Sequence, residues 1–475
     1  QKFPKIPHPQ SLKIPPSPTG RGVRGEEFEI QLPNPNEILE KIKRKGADQA
    51  EVYFSSSSAL KIDVIDQKVE SIDKITDIGI GIRIIKDKKL GFAFTSEFDE
   101  TILGHTTDWA INNANNSAAD ENWCMPEKSL EHRGQGIELF DEKIASTTIT
   151  QKTELALKIE EAAHKYDKRV KKTEKVTYSD SEQAIWIVNS NGLDAQYKSN
   201  HCGAIAMVMA IADGHMESGM GMDYVKKLAD LNAVEIGKEA AQKAVELLNP
   251  KPIKSQKLPI LLDPISSAEL LEVLVGPLSA EAVQKGKSLF ANKIGRLAAA
   301  NKIKIIDDGT LENRIGTAPF DDEGTLTQKT VLIEDGILTN YIHNAYTAKK
   351  GNAKSTGNAA RSGYRTLPAI GPTNLYIEPG NKAQSEMIKS INKGLLVVRL
   401  MGIHTINPIS GDFSIGAAGL MIDNGEITYP VRGITIAGNI IDMLEAVEEV
   451  GSDLRFMANI GAPSLLIGNI SISGE

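Results

Sequence analysis

Alternating apolar and polar residues recur through the first half of the chain and predict β-strands. The clearest alternation covers residues 77–84, where isoleucine stands at every second position between aspartate, glycine and arginine. A period of two places these isoleucines on one face of a strand, so that face is expected to be buried. Further strands are predicted over residues 50–54, 60–65, 91–95, 170–180, 185–189, 195–201 and 204–213.

Helical periodicity divides these strands into two groups. Asn36 and Gly46 are expected to cap and end the first of four helices, which are predicted over residues 37–45, 100–115, 148–166 and 228–248. The last helix stops at Asn249-Pro250, because the residue before a proline disfavours the α-helical conformation. The pattern indicates an N-terminal α/β region over residues 34–250, made of two units over about 34–116 and 148–250 with a polar connection between them.

Strand-like runs dominate from residue 252 to the end. The longest helical pattern there covers residues 266–286 and is broken at Gly276-Pro277. Strands are predicted over residues 258–262, 303–306, 329–334, 337–342, 394–401, 413–422, 426–430 and 464–472. The predicted fold class is therefore α+β, with an α/β N-terminal region followed by a large β-rich C-terminal domain over residues 252–475.

Composition limits the classes of function. Residues 1–33 are Pro-rich and basic without an apolar core, which predicts a disordered arm rather than a secretory signal. The chain carries 62 acidic and 54 basic residues, and its net charge of −8 argues against a nucleic-acid surface. No apolar run approaches the roughly 18–20 residues that span a membrane. Two isolated cysteines fit a reducing compartment, so we expect a cytoplasmic protein without membrane or nucleic-acid partners.

The histidines do not form a metal-binding motif. None of the eight stands three, four or five residues from another, and the sequence contains neither HExxH nor a cysteine cluster. A catalytic zinc needs three protein ligands around an open position. No local metal site is therefore predicted from spacing.

A polar loop after residues 394–401 holds four candidate functional side chains. These are His404, Ser410, Asp412 and Ser414. A Ser–His nucleophile pair is conceivable there, but Ser410-Gly411-Asp412 is also ordinary turn chemistry, and the turn is the favoured interpretation. The small residues that follow let another backbone approach closely, so the loop is also a candidate for the lining of a cleft.

A second candidate loop covers residues 351–363. It is rich in Gly, Ser, Asn and basic residues but lacks the spacing of a phosphate-binding P-loop. Arg361, Tyr364 and Arg365, at and just after its end, are candidates for contacts with peptide carbonyls or with a carboxylate. A solvated loop is the alternative interpretation.

Several motifs in a common order resemble the TldD/PmbA family, most densely after residue 252. The matching segments are 305–310, 318–325, 331–338, 355–358, 410–414 and 431–453. The resemblance implies an α/β N-terminal region, a β-rich C-terminal domain and a dimer that encloses a cavity. It also implies two subtypes: TldD-type metallopeptidases with a helical HExxxH motif and a later Cys ligand, and PmbA-type (TldE) subunits that lack these ligands and pair with a TldD-type subunit.

The chain can be assigned to one of these subtypes by its residues at the motif. Aligned without gaps from Lys285–Phe290, which resembles the family segment just after HExxxH, the motif falls on Leu271, Glu272 and Gly276. Leucine and glycine offer no ligand atom, and no cysteine follows Cys202. The resemblance therefore implies a PmbA/TldE-type member without the metal site, in which Glu272 is expected to be an ordinary polar residue.

The leading hypothesis that follows from the resemblance is a non-catalytic, metal-free subunit of a TldD/TldE-type metallopeptidase complex. Such a complex degrades unfolded or flexible peptides, and zinc is expected only in the TldD-like partner. The candidates for holding peptide in a shared cavity are His404, Ser410, Asp412, Ser414, Arg361, Tyr364 and Arg365. The alternatives are a stand-alone homodimeric protein that binds a peptide or natural product, and a metal-free hydrolase that uses His404 with Ser410 or Ser414.

Overall fold

The computed structural model describes residues 11–14, 28–31, 33–128 and 137–474. Two short strands, β1 (Ser11–Ile14) and β2 (Phe28–Gln31), pair antiparallel. They belong to the predicted arm, whose other residues before 33 lie outside the described part of the chain. Within that described part, no helix is both long enough and apolar enough to cross a bilayer.

Six long antiparallel strands form the N-terminal sheet. They are β3 (Gln49–Ile65), β4 (Lys68–Lys86), β5 (Lys89–Thr95), β6 (Val170–Asn189), β7 (Asp194–Ala212) and β8 (His215–Val225). Their order across the sheet is β5-β4-β3-β6-β7-β8. The strands predicted separately over residues 50–54 and 60–65 are one strand, because the serine run 55–58 between them is paired on both sides, with β4 and with β6.

Five helices accompany this sheet. They are α1 (Pro35–Arg44), α2 (Glu100–Asn116), α3 (Glu142–Ser146), α4 (Ile149–Tyr166) and α5 (Ala233–Glu246). The predicted cap of α1 was wrong: Asn34 caps the helix by accepting from the Asn36 N–H at 3.0 Å, and Pro35 occupies the first helical position. The helix predicted to start at residue 228 begins instead with a 3₁₀ turn, Leu228–Asp230, before α5.

The helices cover one face of the N-terminal sheet. Even-numbered residues of β3 point to this face: Val52 and Phe54 pack in one apolar cluster with α1 and α2, and Leu60 and Ile62 pack in another with α4 and α5. The opposite face carries Tyr53, which packs with residues of the C-terminal domain. The period-two pattern therefore sets which face receives the helices and which receives the second domain.

The C-terminal domain combines a barrel with a second sheet. The barrel sheet contains β9 (Gln256–Leu262), β16 (Lys393–Met401), β17 (Asp412–Asp423), β18 (Glu426–Asn439), β19 (Val447–Val450) and β22 (Leu465–Ser473). Pairing of β18 with β22 closes it. The second sheet contains β10 (Ile305–Asp308), β11 (Lys329–Glu334), β12 (Ile337–Leu338), β15 (Leu375–Ile377), β20 (Arg455–Met457) and β21 (Ile460–Ala462).

The remaining elements of this domain are short. They are the strand pair β13 (Ala359–Ala360) and β14 (Ala369–Ile370), and the helices α6 (Pro264–Val273), α7 (Ala280–Gln284), α8 (Ala345–Lys350), α9 (Gln384–Ser390) and α10 (Ile440–Glu445). The helix predicted over residues 266–286 is thus two helices, separated near the predicted break at Gly276-Pro277. One large apolar core lies between the barrel and the second sheet. The predicted α+β fold class, with an α/β N-terminal region and a β-rich C-terminal domain, is confirmed.

A buried ionic cluster, called here the interface cluster, joins the N-terminal sheet to the C-terminal domain. Glu51 on β3 lies opposite Arg83 on β4 and accepts a hydrogen bond from Arg83 Nη2 at 2.6 Å. Arg83 Nη1 donates to Glu323 at 2.6 Å, and Arg361 Nη2 also donates to Glu51. All four side chains are at most 3% exposed. Each of the two cations is therefore paired with a buried carboxylate within the cluster.

Candidate functional site

A cavity of about 680 Å³ lies where the N-terminal region meets the C-terminal domain. We call it the interdomain cavity. One wall is formed by α5 and by Met222 and Asp223 on β8, and the opposite wall includes Asp263 and Pro264 at the start of α6. Its volume is in the range of sites that bind small molecules.

The polar side of the cavity comes from one stripe of α5. The stripe consists of Glu235, Glu239, Gln242 and Glu246, which recur at intervals of three or four residues and so share one face of the helix. Ala240 and Ala244, which lie on the opposite side, are fully buried. The helix thus presents its acidic face to the cavity and packs through its small residues.

The edge of the N-terminal sheet is held by two arginines of the C-terminal domain, of which Arg455 lines the cavity. On the edge strand β8, the Met222 carbonyl accepts a hydrogen bond from Arg455 Nη2 at 3.2 Å, and the Ser218 carbonyl accepts one from Arg399 Nη2. Unpaired carbonyls on an edge strand otherwise invite pairing with another chain. The arginines therefore cover part of the edge and fix one wall of the cavity.

Ion pairs hold the two cationic residues of the cavity. Glu239 accepts from Arg455 at 2.6 and 3.0 Å and lies 3.0 Å from Lys243. Lys243 is also 3.6 Å from Asp263. Burial acts to raise the pKa of Glu239, but Arg455 and Lys243 outweigh burial and lower that pKa. These pairs already engage both cations with carboxylates of this chain.

Two carboxyl groups at or near the cavity have no ion-pair partner within the described residues. Asp223 lines the cavity, and burial raises its pKa against the opposing effects of the Tyr224 N–H and of Arg455. Glu269 lies further along α6, where burial raises its pKa to about 7 and the charges of Asp263 and Glu272 add to that shift. The region therefore carries an excess of negative charge.

The residues that resemble the metallopeptidase motif lie at the end of α6 and just beyond it. Leu271 is 2% exposed and packs in the C-terminal core, Glu272 is exposed, and Gly276 follows the helix. Among the described residues, no group of three or more His, Cys, Asp and Glu side chains is arranged to hold a metal ion. The residues present therefore do not fit a zinc ion at this motif.

The candidate loop after β16 lies at the surface. His404, Ser410, Asp412 and Ser414 are exposed, and the lining of the interdomain cavity includes none of these four described residues. The Asp412 N–H donates to Ser410 Oγ at 3.2 Å, and Asn439 Nδ2 donates to Asp412 Oδ1 at 3.0 Å. These bonds form a turn, and no hydrogen bond joins the described side chains of His404 and either serine.

The second candidate loop docks on the N-terminal sheet. Arg361 belongs to the interface cluster, and its guanidinium lies over the ring of Tyr53 at 4.3 Å. Tyr364 donates to Asp77 at 3.1 Å, and Arg365 binds the same carboxylate through two nitrogens at 2.7 and 2.8 Å. These side chains bind carboxylates, but the carboxylates belong to this chain. The structure brings the three residues together, away from His404 and the serines.

Two glycines of the alternating run over residues 77–84 make room for this docking. A methyl group on Gly79 would lie 2.3 Å from the ring of Tyr364, and one on Gly81 would lie 2.5 Å from the Tyr364 carbonyl oxygen. Both distances are too short for a side chain, so the approach requires glycine. Glycine at successive positions on one face of a strand is the sequence signal for such a contact.

Sequence reasoning missed the residues that give the cavity its charge. These are Asp223, Glu235, Glu239, Lys243, Glu246, Asp263, Asp453 and Arg455. The three- and four-residue spacing of acids on α5 lies within the predicted helix, but a polar stripe on an amphipathic helix is usually solvent-facing. Nothing local in the sequence marks that stripe as the wall of a cavity.

Comparison with known proteins identifies the class. Models of the PmbA/TldA metallopeptidases match along the chain: domain 1 over residues 50–114, the central domain over 142–248 and the C-terminal domain over 255–474. The Metalloprotease PmbA of Escherichia coli O157:H7 is 28% identical over 431 residues, covering 90% of this chain and 93% of that protein. A Metalloprotease TldD homolog of Buchnera aphidicola is 27% identical over 462 residues, covering 92% of this chain and 95% of that protein.

A solved structure supports the same assignment. TldE from Thermococcus kodakarensis matches with a TM-score of 0.84 at 25% identity, covering 92% of this chain and 99% of that one. The chain therefore belongs to the PmbA/TldD metallopeptidase family, as its motifs predict. Its similarity extends to proteins of both names, PmbA or TldE and TldD.

Proposed function

We propose that this chain is a metal-free, non-catalytic subunit of the PmbA/TldE type in a TldD/TldE-type metallopeptidase complex. Its role is to hold unfolded or flexible peptide while a TldD-like partner supplies zinc and cleavage. The proposal rests on one observation, which is the identity of the residues at the motif positions in and after α6. Leu271 and Gly276 stand where the resemblance places two histidine ligands, and Leu271 is part of the apolar core.

The chemistry at the motif supports a non-catalytic role. A carboxylate activates water for peptide hydrolysis at neutral pH when a metal ion lowers the pKa of that water. Glu272 has neither of the predicted imidazole neighbours, and its side chain is exposed on the outer face of α6. We therefore assign it no catalytic step and assign hydrolysis to the partner subunit.

The interdomain cavity supports a role in holding peptide. It combines carboxylates on α5 with an apolar wall from the barrel, which includes Leu396, Val398 and Leu420. A site that holds an extended chain needs both apolar surface and a few polar anchors. We also assign the protein to the cytoplasm, where its two free cysteines, Cys124 and Cys202, fit a reducing environment.

A mixing experiment tests the subunit role. The chain is purified, its bound metal is measured by mass spectrometry, and cleavage of an unfolded polypeptide is followed with this chain, with the TldD-type protein of the same organism, and with both. We expect cleavage well above either single protein only in the mixture, and zinc only on the partner. The matched control is the mixture treated with a chelator, which should lose its activity.

Two results would contradict the proposal. Stoichiometric zinc on this chain would show that ligands converge from segments that the motif does not include. Proteolysis by this chain alone that survives repeated purification and remains in a Glu272→Gln variant would place a catalytic site elsewhere in the molecule. Either result would remove the non-catalytic assignment.

A stand-alone homodimeric binding protein is the second candidate function. The interdomain cavity, which is lined by both apolar side chains and carboxylates, is the ligand site that such a protein would use. Size-exclusion chromatography with light scattering of the chain, with and without the TldD-type protein, separates the two. A homodimer that ignores the TldD-type protein and still binds peptide favours the second function.

A further inference from the structure

The walls of the interdomain cavity carry many more acidic than basic side chains. The lining includes six carboxyl groups but only two cationic side chains, Lys243 and Arg455. The six are Asp223, Glu235, Glu239, Glu246, Asp263 and Asp453. Such an imbalance creates a negative potential in the cavity, and partly buried charges are screened less by salt than exposed ones.

The two cations do not offset all of the remaining acids, although Glu235 pairs at 3.0 Å with Lys238, which lies outside the lining. Arg455 uses both terminal nitrogens on Glu239, and Lys243 lies between Glu239 and Asp263. Asp223 has no basic side chain within ion-pair distance among the described residues. Glu246 accepts from Gln242 at 2.7 Å, and Asp453 accepts from the backbone and hydroxyl of Ser464 at 2.9 and 2.7 Å.

The environment makes these free charges unfavourable as they stand. Burial raises the pKa of Asp223, although the Tyr224 N–H and the charges of Arg455 and Arg314 act to lower it. Near the cavity, burial and the charges of Asp263 and Glu272 raise the pKa of Glu269 to about 7. A positive charge placed among these carboxyl groups would relieve both effects.

The apolar wall indicates what kind of positively charged group the cavity can accept. Leu396, Val398, Leu420 and Ile427 line the cavity together with the carboxylates. Lysine and arginine have an aliphatic stem that packs on apolar surface and a charged head that reaches polar groups. A metal ion or a small inorganic cation would leave the apolar wall without a contact.

We infer that the interdomain cavity binds a lysine or arginine side chain of an extended peptide, so that basic segments are the preferred substrate class. The inference rests on the proposed function, because it names what the peptide-holding subunit selects. Asp223 receives the cationic head, with Glu246 as a second acceptor. The aliphatic stem lies along the barrel residues of the apolar wall.

Direct binding tests the inference. Fluorescein-labelled extended peptides that differ only in one central residue, lysine, arginine, glutamine or glutamate, are titrated with the full chain and followed by anisotropy, with and without the TldD-type protein. We expect the lysine and arginine peptides to bind about tenfold more tightly than the glutamine peptide, as one charge-assisted contact implies. The glutamate peptide should bind most weakly.

A variant pair locates the contact. Asp223→Asn should weaken binding of the lysine peptide by about three- to tenfold and leave binding of the glutamine peptide unchanged. Glu174→Gln is the matched control, because Glu174 is an exposed carboxylate on β6 outside the cavity lining, and it should change neither. If Asp223→Asn does not fold, as judged by circular dichroism, Glu246→Gln replaces it with the same expected pattern.

The inference is overturned if all four peptides bind equally, if none of them binds, or if the cavity variant weakens the lysine and glutamine peptides to the same degree. A parallel assay separates the inference about basic side chains from the proposed subunit role. It follows cleavage of an unfolded substrate without basic residues by the mixture with the TldD-type protein. Cleavage there without any charge preference in binding rejects the inference alone. Charge-selective binding without cleavage rejects the subunit role and retains the site.

Discussion

The interface cluster and the interdomain cavity both join the N-terminal region to the C-terminal domain through charged side chains, but their charges are distributed differently. In the cluster, Arg83 and Arg361 face Glu51 and Glu323, and every side chain is at most 3% exposed. In the cavity, six carboxyl groups face two cations. Balanced charge offers no net attraction to a charged ligand, whereas unbalanced charge beside an open volume does.

The titration of the acids reflects the same contrast. Burial acts to raise the pKa of Glu51, yet the charges of Arg361 and Arg83 outweigh it and lower that pKa. At the cavity, burial raises the pKa of Asp223 and of Glu269 without a sufficient opposing cation. The same residue types therefore stabilise the structure where their partners are complete, and they leave charge available to a ligand where a partner is missing.

Replacing Arg83 with methionine should produce the largest effect. Removing one partner of a buried ion pair leaves an uncompensated charge and costs about 3–5 kcal/mol. Glu323 would lose the guanidinium that lies 2.6 Å away, and Glu51 would keep only Arg361. Urea unfolding of the chain, followed by circular dichroism, should show a midpoint well below that of the unsubstituted protein.

The matched control is Lys41→Met, which breaks an exposed pair of Lys41 and Glu100 at 2.7 Å. Exposed pairs contribute about 0–1 kcal/mol, so this variant should unfold close to the unsubstituted protein. Equal midpoints for Arg83→Met and Lys41→Met would contradict the structural role of the cluster and break the comparison with the cavity.

Local pattern was sufficient to predict much of the fold. The alternation over residues 77–84 predicted a strand with one buried face; β4 contains it, but both faces are buried there, because Gly79, Gly81 and Arg83 contact the C-terminal domain. The family motifs placed Leu271 and Gly276 at the ligand positions, although only the structure shows that Leu271 is a core residue. Strand ends were less predictable, because the serine run over residues 55–58 is held by pairing with two neighbouring strands rather than by its own composition.

The cavity could not be predicted in this way, because its contacts join distant parts of the chain. Arg455 and Glu239 are 216 positions apart, and Arg361 and Glu51 of the interface cluster are 310 apart. The candidate residues His404 and Ser410 share one loop in the sequence and in the structure, yet that loop is an exposed turn. Nearness in sequence therefore identified a local turn and missed the charged walls.

Replacing Arg455 with methionine should have an effect of intermediate size: it should lower the stability of the chain and raise its affinity for the lysine peptide. The pair with Glu239 is partly exposed, at 41% and 21%, so we expect a loss of about 1 kcal/mol in the free energy of unfolding. Removal of a cation from the cavity should at the same time tighten binding of the lysine peptide, by about threefold. The measurements are urea unfolding and the anisotropy titration.

Lys302→Met is the control for Arg455→Met. It removes a comparable surface pair, since Lys302 lies 2.8 Å from Glu449 and is 47% exposed, but the cavity lining does not include it. It should cost a similar amount of stability and leave peptide affinity unchanged. Weaker rather than tighter binding of the lysine peptide by Arg455→Met would contradict the view that Arg455 competes with the ligand.

Replacing Glu269 with glutamine should produce the smallest effect, and one that depends on pH. The pKa of Glu269 is raised from 4.5 to about 7 in the folded chain, so the folded state holds a proton that the unfolded state releases. Through this residue, stability is greatest below the unfolded pKa and falls as the pH rises from about 5 to about 8. Glu269→Gln removes that loss, and after allowance for solvent screening we expect a gain below about 1 kcal/mol at the higher pH.

Thermal melts of Glu269→Gln across this pH range measure the change, with Glu174→Gln as the control. Glu174 is an exposed carboxylate on β6, so its replacement should shift stability by no more than about 0.5 kcal/mol at either pH. A gain for Glu269→Gln that is equal at both pH values would show that the side chain is strained by packing rather than by charge. A gain confined to the higher pH would show that the negative region reaches from the cavity lining along α6. The contrast between that region and the interface cluster would then be sharper.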